Sequence, residues 1–180
     1  MSGSPKPPDL PPYHEPNHIE YVGLIASQWA TLEFYIDSTC WRLAAVSPEV
    51  GACFSANLGS IHFKLRTLYA LLELHNVNPI VLKSLRTFQG KVSGTADKRN
   101  RVVHHPWMPY VSPKGSGMSQ FVYRADQKGR EFGGKPVPLN DLVSINQEIM
   151  KRIGEIMKLR ERIADSVPTW SEKQRKQQEP

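Results

Sequence analysis

The chain has 180 residues, 39% of them apolar and 22% charged, a composition that suits one soluble domain with a core of its own. Its net charge of +6 is unevenly spread: residues 82–135 come to +8, residues 1–81 to −3 and residues 136–180 to +1. A basic block of that size attracts polyanions, commonly RNA or DNA, and the lack of any apolar run of bilayer length excludes a helical membrane protein.

Residues 1–16 hold six of the fifteen prolines and read as an extended or disordered segment. They carry no apolar stretch of the signal-peptide kind, which points to a cytoplasmic protein. Asn17 has the chemistry of an N-cap, with Glu20 as its capping-box partner. A helix over 18–46 follows, because Ile25, Trp29, Leu32, Ile36, Cys40 and Leu43 recur at steps of three and four. Glu33 and Asp37 flank that stripe. They are either solvated or aimed at a basic group on a neighbouring helix. Cys40 and Cys53 form no metal-ligand spacing and read as reduced.

Ser47-Pro48 ends this helix or starts a short connecting one, and residues 51–59 show no clear period. A second helix is predicted over 60–74, with Ile61, Leu65, Leu68, Leu71 and Leu72 as its apolar face. His75 to Asn78 read as a turn, and Pro79 as the first residue of a helical region over 79–106. Its stripe is Leu82, Leu85, Phe88, Val92, Ala96, Arg99, Val103 and Pro106, with Gly90, Ser93, Gly94 and Thr95 weakening the middle enough to predict a kink or brief break there, with Thr95 capping a shorter second piece. Pro113, Gly115 and Gly117 then mark a turn. Strands over 118–124 and 131–137 form a hairpin about a turn at 126–129. Asn140 or Asp141 opens a last long helix carrying Leu142, Ile145, Ile149, Ile153, Ile156, Leu159 and Ile163 on one face, and a polar tail begins at 168.

Chemistry concentrates at the end of the third helical region. Arg99, Asn100 and His104 form an Arg-Asn-x-x-x-His pattern. Asn100 and His104, four apart, share a helix face. Arg99 lies about 140° round the axis from His104, so one helix alone aims the pair poorly at a single atom. A pocket between two helices, or across a dimer axis, would help. An imidazole exchanges protons near neutrality, and a guanidinium presents a planar donor fork to phosphate. RNA supplies its own nucleophile, the 2′-hydroxyl, so a base, an acid and charge stabilisation at phosphorus are enough to cleave it without a metal or other cofactor. The structural alternative is that Arg99 pairs with Glu33 or Asp37 in a buried network and that His104 and His105 cap the helix end.

This pattern, late in the third helix of a small helical unit, resembles the motif of the HEPN superfamily, and the long first helix with Trp29 and Glu33 fits the same picture. The resemblance spans about residues 17–166 apart from the insert. It implies an all-α fold: a four- or five-helix bundle, here a single domain over 17–167 with a small β-hairpin insert at about 108–139. It also implies a homodimer with facing motifs and a metal-independent endoribonuclease that leaves 2′,3′-cyclic phosphate ends, acting in a toxin–antitoxin or defence system beside an antitoxin or regulatory protein. Arg99 and His104 would be catalytic, with Asn100 and Glu33 supporting them. Beside the motif, Lys98, Arg101 and His105 would contact RNA; the insert is not general to the family, and either its Lys114, Arg124, Lys128, Arg130 and Lys135 guide RNA or its Phe121 and Tyr123 form a partner surface. A small residue often follows the motif histidine, so His105 is a departure that bears on pocket shape. The rival readings are a non-catalytic helical interaction protein and a nucleotide-binding module.

Overall fold

A computed structural model describes residues 16–112, 115–126 and 129–167. The proline-rich start, the polar tail, Lys114 and Lys128 lie outside them. The described elements are helices α1 (Pro16–Leu43), α2 (Pro48–Ser55), α3 (Ile61–Leu74), α4 (Pro79–His104) and α5 (Leu139–Ser166), with strands β1 (Trp107–Ser112), β2 (Gly115–Asp126) and β3 (Gly129–Pro136) between α4 and α5. None of these helices is long and apolar enough to cross a membrane.

α1 starts at Pro16, so Asn17 sits inside the first turn rather than capping it. Proline suits that place, where a backbone N–H would have no helical partner. The helix ends at Leu43, three residues before the predicted limit, because Ala45 takes a left-handed conformation (φ 55°). Val46 N–H then donates to Trp41 O at 3.1 Å, and Ala45 N–H to Arg42 O at 3.1 Å, closing the helix by satisfying its last carbonyls. α3 ends the same way around Asn76 (φ 51°). Side chains cap the next three helices as they begin: Ser47 accepts from Val50 N, Ser60 from Phe63 N and Asn78 from Ile80 N. α2 is the element with no predicted period. It lies close on α1, and a Cβ on Gly51 would fall 2.3 Å from the Trp41 ring.

The apolar stripes become the core. All six stripe residues of α1 are buried, as are Leu65, Leu68 and Leu72 of α3 and Ile149, Ile156 and Ile163 of α5. Each fully buried Leu or Ile contributes about 1.5–3 kcal/mol relative to exposure. α1 packs along α5 and against α3, and α4 packs against α5. α4 runs as one 26-residue helix, without the predicted break. Thr95 stays in it by donating to Lys91 O at 3.2 Å. The helix stops at His104, short of Pro106.

The predicted hairpin is a three-stranded antiparallel sheet in the order β1-β2-β3. β1 was not foreseen because Pro109 stands in its middle. Its position at the sheet edge tolerates a residue with no N–H to donate. β2 and β3 pair with Tyr123 opposite Phe132 and Gln120 opposite Lys135. The sheet is fastened to the end of α4 by bonds from Trp107 Nε1 to Val102 O (2.9 Å), Gln120 Nε2 to Arg101 O (2.6 Å) and Phe121 N to Pro106 O (2.8 Å). His18 of α1 donates through Nε2 to Val137 O at 3.1 Å, so the return to α5 is fixed as well.

Candidate functional site

Arg99, Asn100 and His104 line a groove of about 240 Å³ at the end of α4, walled by Trp29 and Glu33 of α1 and by Gly59 to His62 at the start of α3. One chain brings the pair together despite the angle between them. Arg99 Nη1 lies 3.0 Å from Asn100 Oδ1 and 3.3 Å from His104 Nε2. The flexible arginine stem sweeps across the final turn to reach both. A guanidinium can only donate, so this contact requires the lone pair of Nε2. As a hydrogen bond it needs the tautomer that carries its proton on Nδ1.

The other side of Arg99 is held by α1. Its guanidinium carbon lies 5.6 Å from the centre of the Trp29 ring, within cation–π range. Trp29 Nε1 donates to Glu33 Oε1 at 2.8 Å. Glu33 Oε2 lies 3.8 Å from Lys64 Nζ, which is 2.5 Å from Asp37 Oδ2. Both carboxylates beside the α1 stripe thus face one basic group on a neighbouring helix, and that group is Lys64. Burial pushes the Arg99 guanidinium below its ordinary pKa, and the negative charge of Glu33 works against that shift. Arg99 Nε is buried with no hydrogen-bond partner among the described residues.

Sequence reasoning missed Lys64. The signal was present: it sits three residues after Ile61 and four before Leu68, on a face that is otherwise apolar. His62 and Ser60 carried no such signal; they reach the groove because α3 begins there.

The residues expected to contact RNA do not share this groove. Lys98, Arg101 and His105 line a second one of about 390 Å³, between α4, the sheet and the start of α5. Lys98 is ion-paired there with Glu148. His105 ends α4 as its C-cap, and its ring centre is 5.9 Å from that of Tyr123. Arg130 is exposed at the start of β3, opposite Ala125. The backbone of Arg124 pairs with Glu131, while its side chain lies outside what is described. Consecutive histidines therefore open into different compartments, His104 into the first groove and His105 into the second.

Among the described residues no three His, Cys, Asp or Glu side chains are grouped as metal ligands. No family model matches the chain, and neither a curated protein nor a solved structure does.

Proposed function

We propose that this chain is a metal-independent endoribonuclease with a HEPN-like helical bundle, acting in the cytoplasm as a homodimer. The observation that carries the reading is the 3.3 Å approach of Arg99 Nη1 to His104 Nε2 in an open groove. A phosphodiester entering it competes for the Arg99 donors. Once Arg99 turns to the phosphate, Nε2 is free to take the proton of the 2′-hydroxyl. The 2′-oxygen bonds to phosphorus, the bond from phosphorus to the 5′-oxygen breaks, and Arg99 stabilises the charge that builds on the equatorial oxygens. The leaving 5′-oxygen takes a proton from a protonated His104, supplied by the second copy in the dimer. The products are a 2′,3′-cyclic phosphate and a 5′-hydroxyl. Asn100 and Glu33 hold Arg99 in place. A toxin or defence role beside a neutralising partner fits such chemistry.

The test is digestion of RNA in EDTA with end-group analysis. Wild type cleaves RNA and spares DNA of the same sequence, while His104→Ala and Arg99→Ala fold normally and leave RNA intact. Light scattering reads the dimer. A second reading rests on the run from Arg99 through Trp29 and Glu33 to Lys64, which would serve a non-catalytic interaction protein as a structural tie. Unfolding of both variants would favour it. Tight nucleotide binding by a wild type that leaves RNA intact would favour a nucleotide-binding module.

A further inference from the structure

We infer that the second groove, between the end of α4, the sheet and the start of α5, binds the single-stranded RNA that flanks the cleaved bond. Arg101 and Lys135 hold its phosphates and Tyr123 stacks a base. RNA as the occupant rests on the ribonuclease reading; the groove itself stands on separate observations.

The first is charge. Arg101 and Lys135 are exposed, both line the groove, and neither is ion-paired with a carboxylate among the described residues. Two acids stand nearby. Glu148 is occupied by Lys98, and Asp141 is the one carboxylate among the described residues of the lining. Two unneutralised cations facing one carboxylate favour an anionic occupant. The second is shape and chemistry at the rim. Tyr123 is 59% exposed beside the tilted ring of His105. A flat π-surface next to backbone-gripping cations is how proteins hold single strands, because every base has a face to stack.

The third is position. His104 and His105 open into the two grooves, and consecutive Cα atoms are about 3.8 Å apart. The two grooves therefore flank the same end of α4. A strand with its scissile phosphate at His104 reaches Arg101 and Lys135 within a few nucleotides. A protein segment docking on the same aromatic rim is the competing occupant.

The test separates binding from cleavage. The full-length His104→Ala protein is titrated with a fluorescein-labelled oligouridine RNA of about twelve nucleotides, within the site size of such grooves, over a range of salt. Adding Arg101→Ala and Lys135→Ala should weaken binding by an order of magnitude or more and flatten the salt dependence by about 1.4 in log–log slope, about 0.7 for each lost phosphate contact. Adding Tyr123→Ala instead should weaken binding on the order of tenfold and leave the slope alone. The charge-matched control is Lys83→Ala on α4 with Lys158→Ala on α5, which line a separate groove, with Lys83 about 27 Å along α4 from Arg101; it should lose much less.

Unchanged affinity in the Arg101/Lys135 variant would overturn the inference and leave the aromatic rim to a protein partner. A loss equal to that of the control would overturn it too, reducing the effect to net charge. If wild type fails to cut RNA yet these variants lose binding as expected, the nuclease reading falls and the groove stands.

Discussion

Lys64 Nζ stands 2.5 Å from Asp37 Oδ2 across the α1–α3 interface, with each side chain only 10% exposed. Removing one partner strands the other charge in a desolvated place. Asp37→Ala leaves Lys64 with the longer contact to Glu33 at 3.8 Å and should cost about 3 kcal/mol, the low end for a broken buried pair. The paired change Asp37→Leu with Lys64→Met should be neutral or stabilising, by up to about 4 kcal/mol. Urea unfolding of the two proteins makes the comparison. If Asp37→Ala costs no more than a surface substitution, the ion pair is not buried as described.

Trp29 positions Arg99 in two ways, through its ring and through its bond to Glu33. Trp29→Phe keeps a ring under the guanidinium and loses the indole donor. Trp29→Leu loses both. On the proposed ribonuclease activity, the leucine variant should be roughly tenfold slower than the phenylalanine one, the size of a partly exposed cation–π contact. Equal rates in the two, both still folded by circular dichroism, would remove the ring from the account of Arg99.

The ends of α1 and α3 share one geometry but differ in the residue at the left-handed position. Asn76 tolerates it, and Ala45 does so at a cost. Ala45→Gly should raise stability by about 0.5–1 kcal/mol, since the relief of strain exceeds the added freedom of the unfolded chain. Thermal melts would detect a shift of that size. A lower melting temperature would mean the alanine is not strained there.

The two cysteines should separate by reactivity. Cys40 is buried and Cys53 exposed. Burial, with Asp37 adding to it, raises the Cys40 thiol from 9.0 to about 12. The native protein should therefore titrate one thiol with Ellman's reagent at about pH 8 and the unfolded chain two. The sign for stability follows from where the proton is held. The folded state keeps it at pH values where the unfolded chain releases it, so the contribution is complete below pH 9 and is lost as pH rises toward 12. Fast labelling of both thiols in the native protein would contradict this.

The stripes of α1 and α5 were legible because apolar burial leaves a period in sequence. Ile25 to Leu43 and Leu142 to Ile163 mark their own faces. α2 left no period in its eight residues, since one short helix needs only Gly51 against Trp41 to sit down. β1 was hidden by Pro109, whose acceptability depends on being at an edge, a tertiary fact. In the site, residue types were readable and directions were not. Arg99, Asn100 and His104 were named from their pattern, but their contact depends on how a long side chain bends. Which groove Lys98, Arg101 and His105 line was not readable, because adjacency along a chain does not reveal which side of a rod each residue faces.

The division of His104 from His105 makes α4 sensitive to reading length. Each residue advances the helix by about 100°. Deleting a single position upstream, for example Gly94, where an added Cβ would meet nothing within 4 Å, would turn every later side chain by that angle. Arg99 would leave the face of Trp29, and the paired imidazoles would no longer address their own compartments. Spacing along this rod is thus under tighter constraint than the identity of many residues on it.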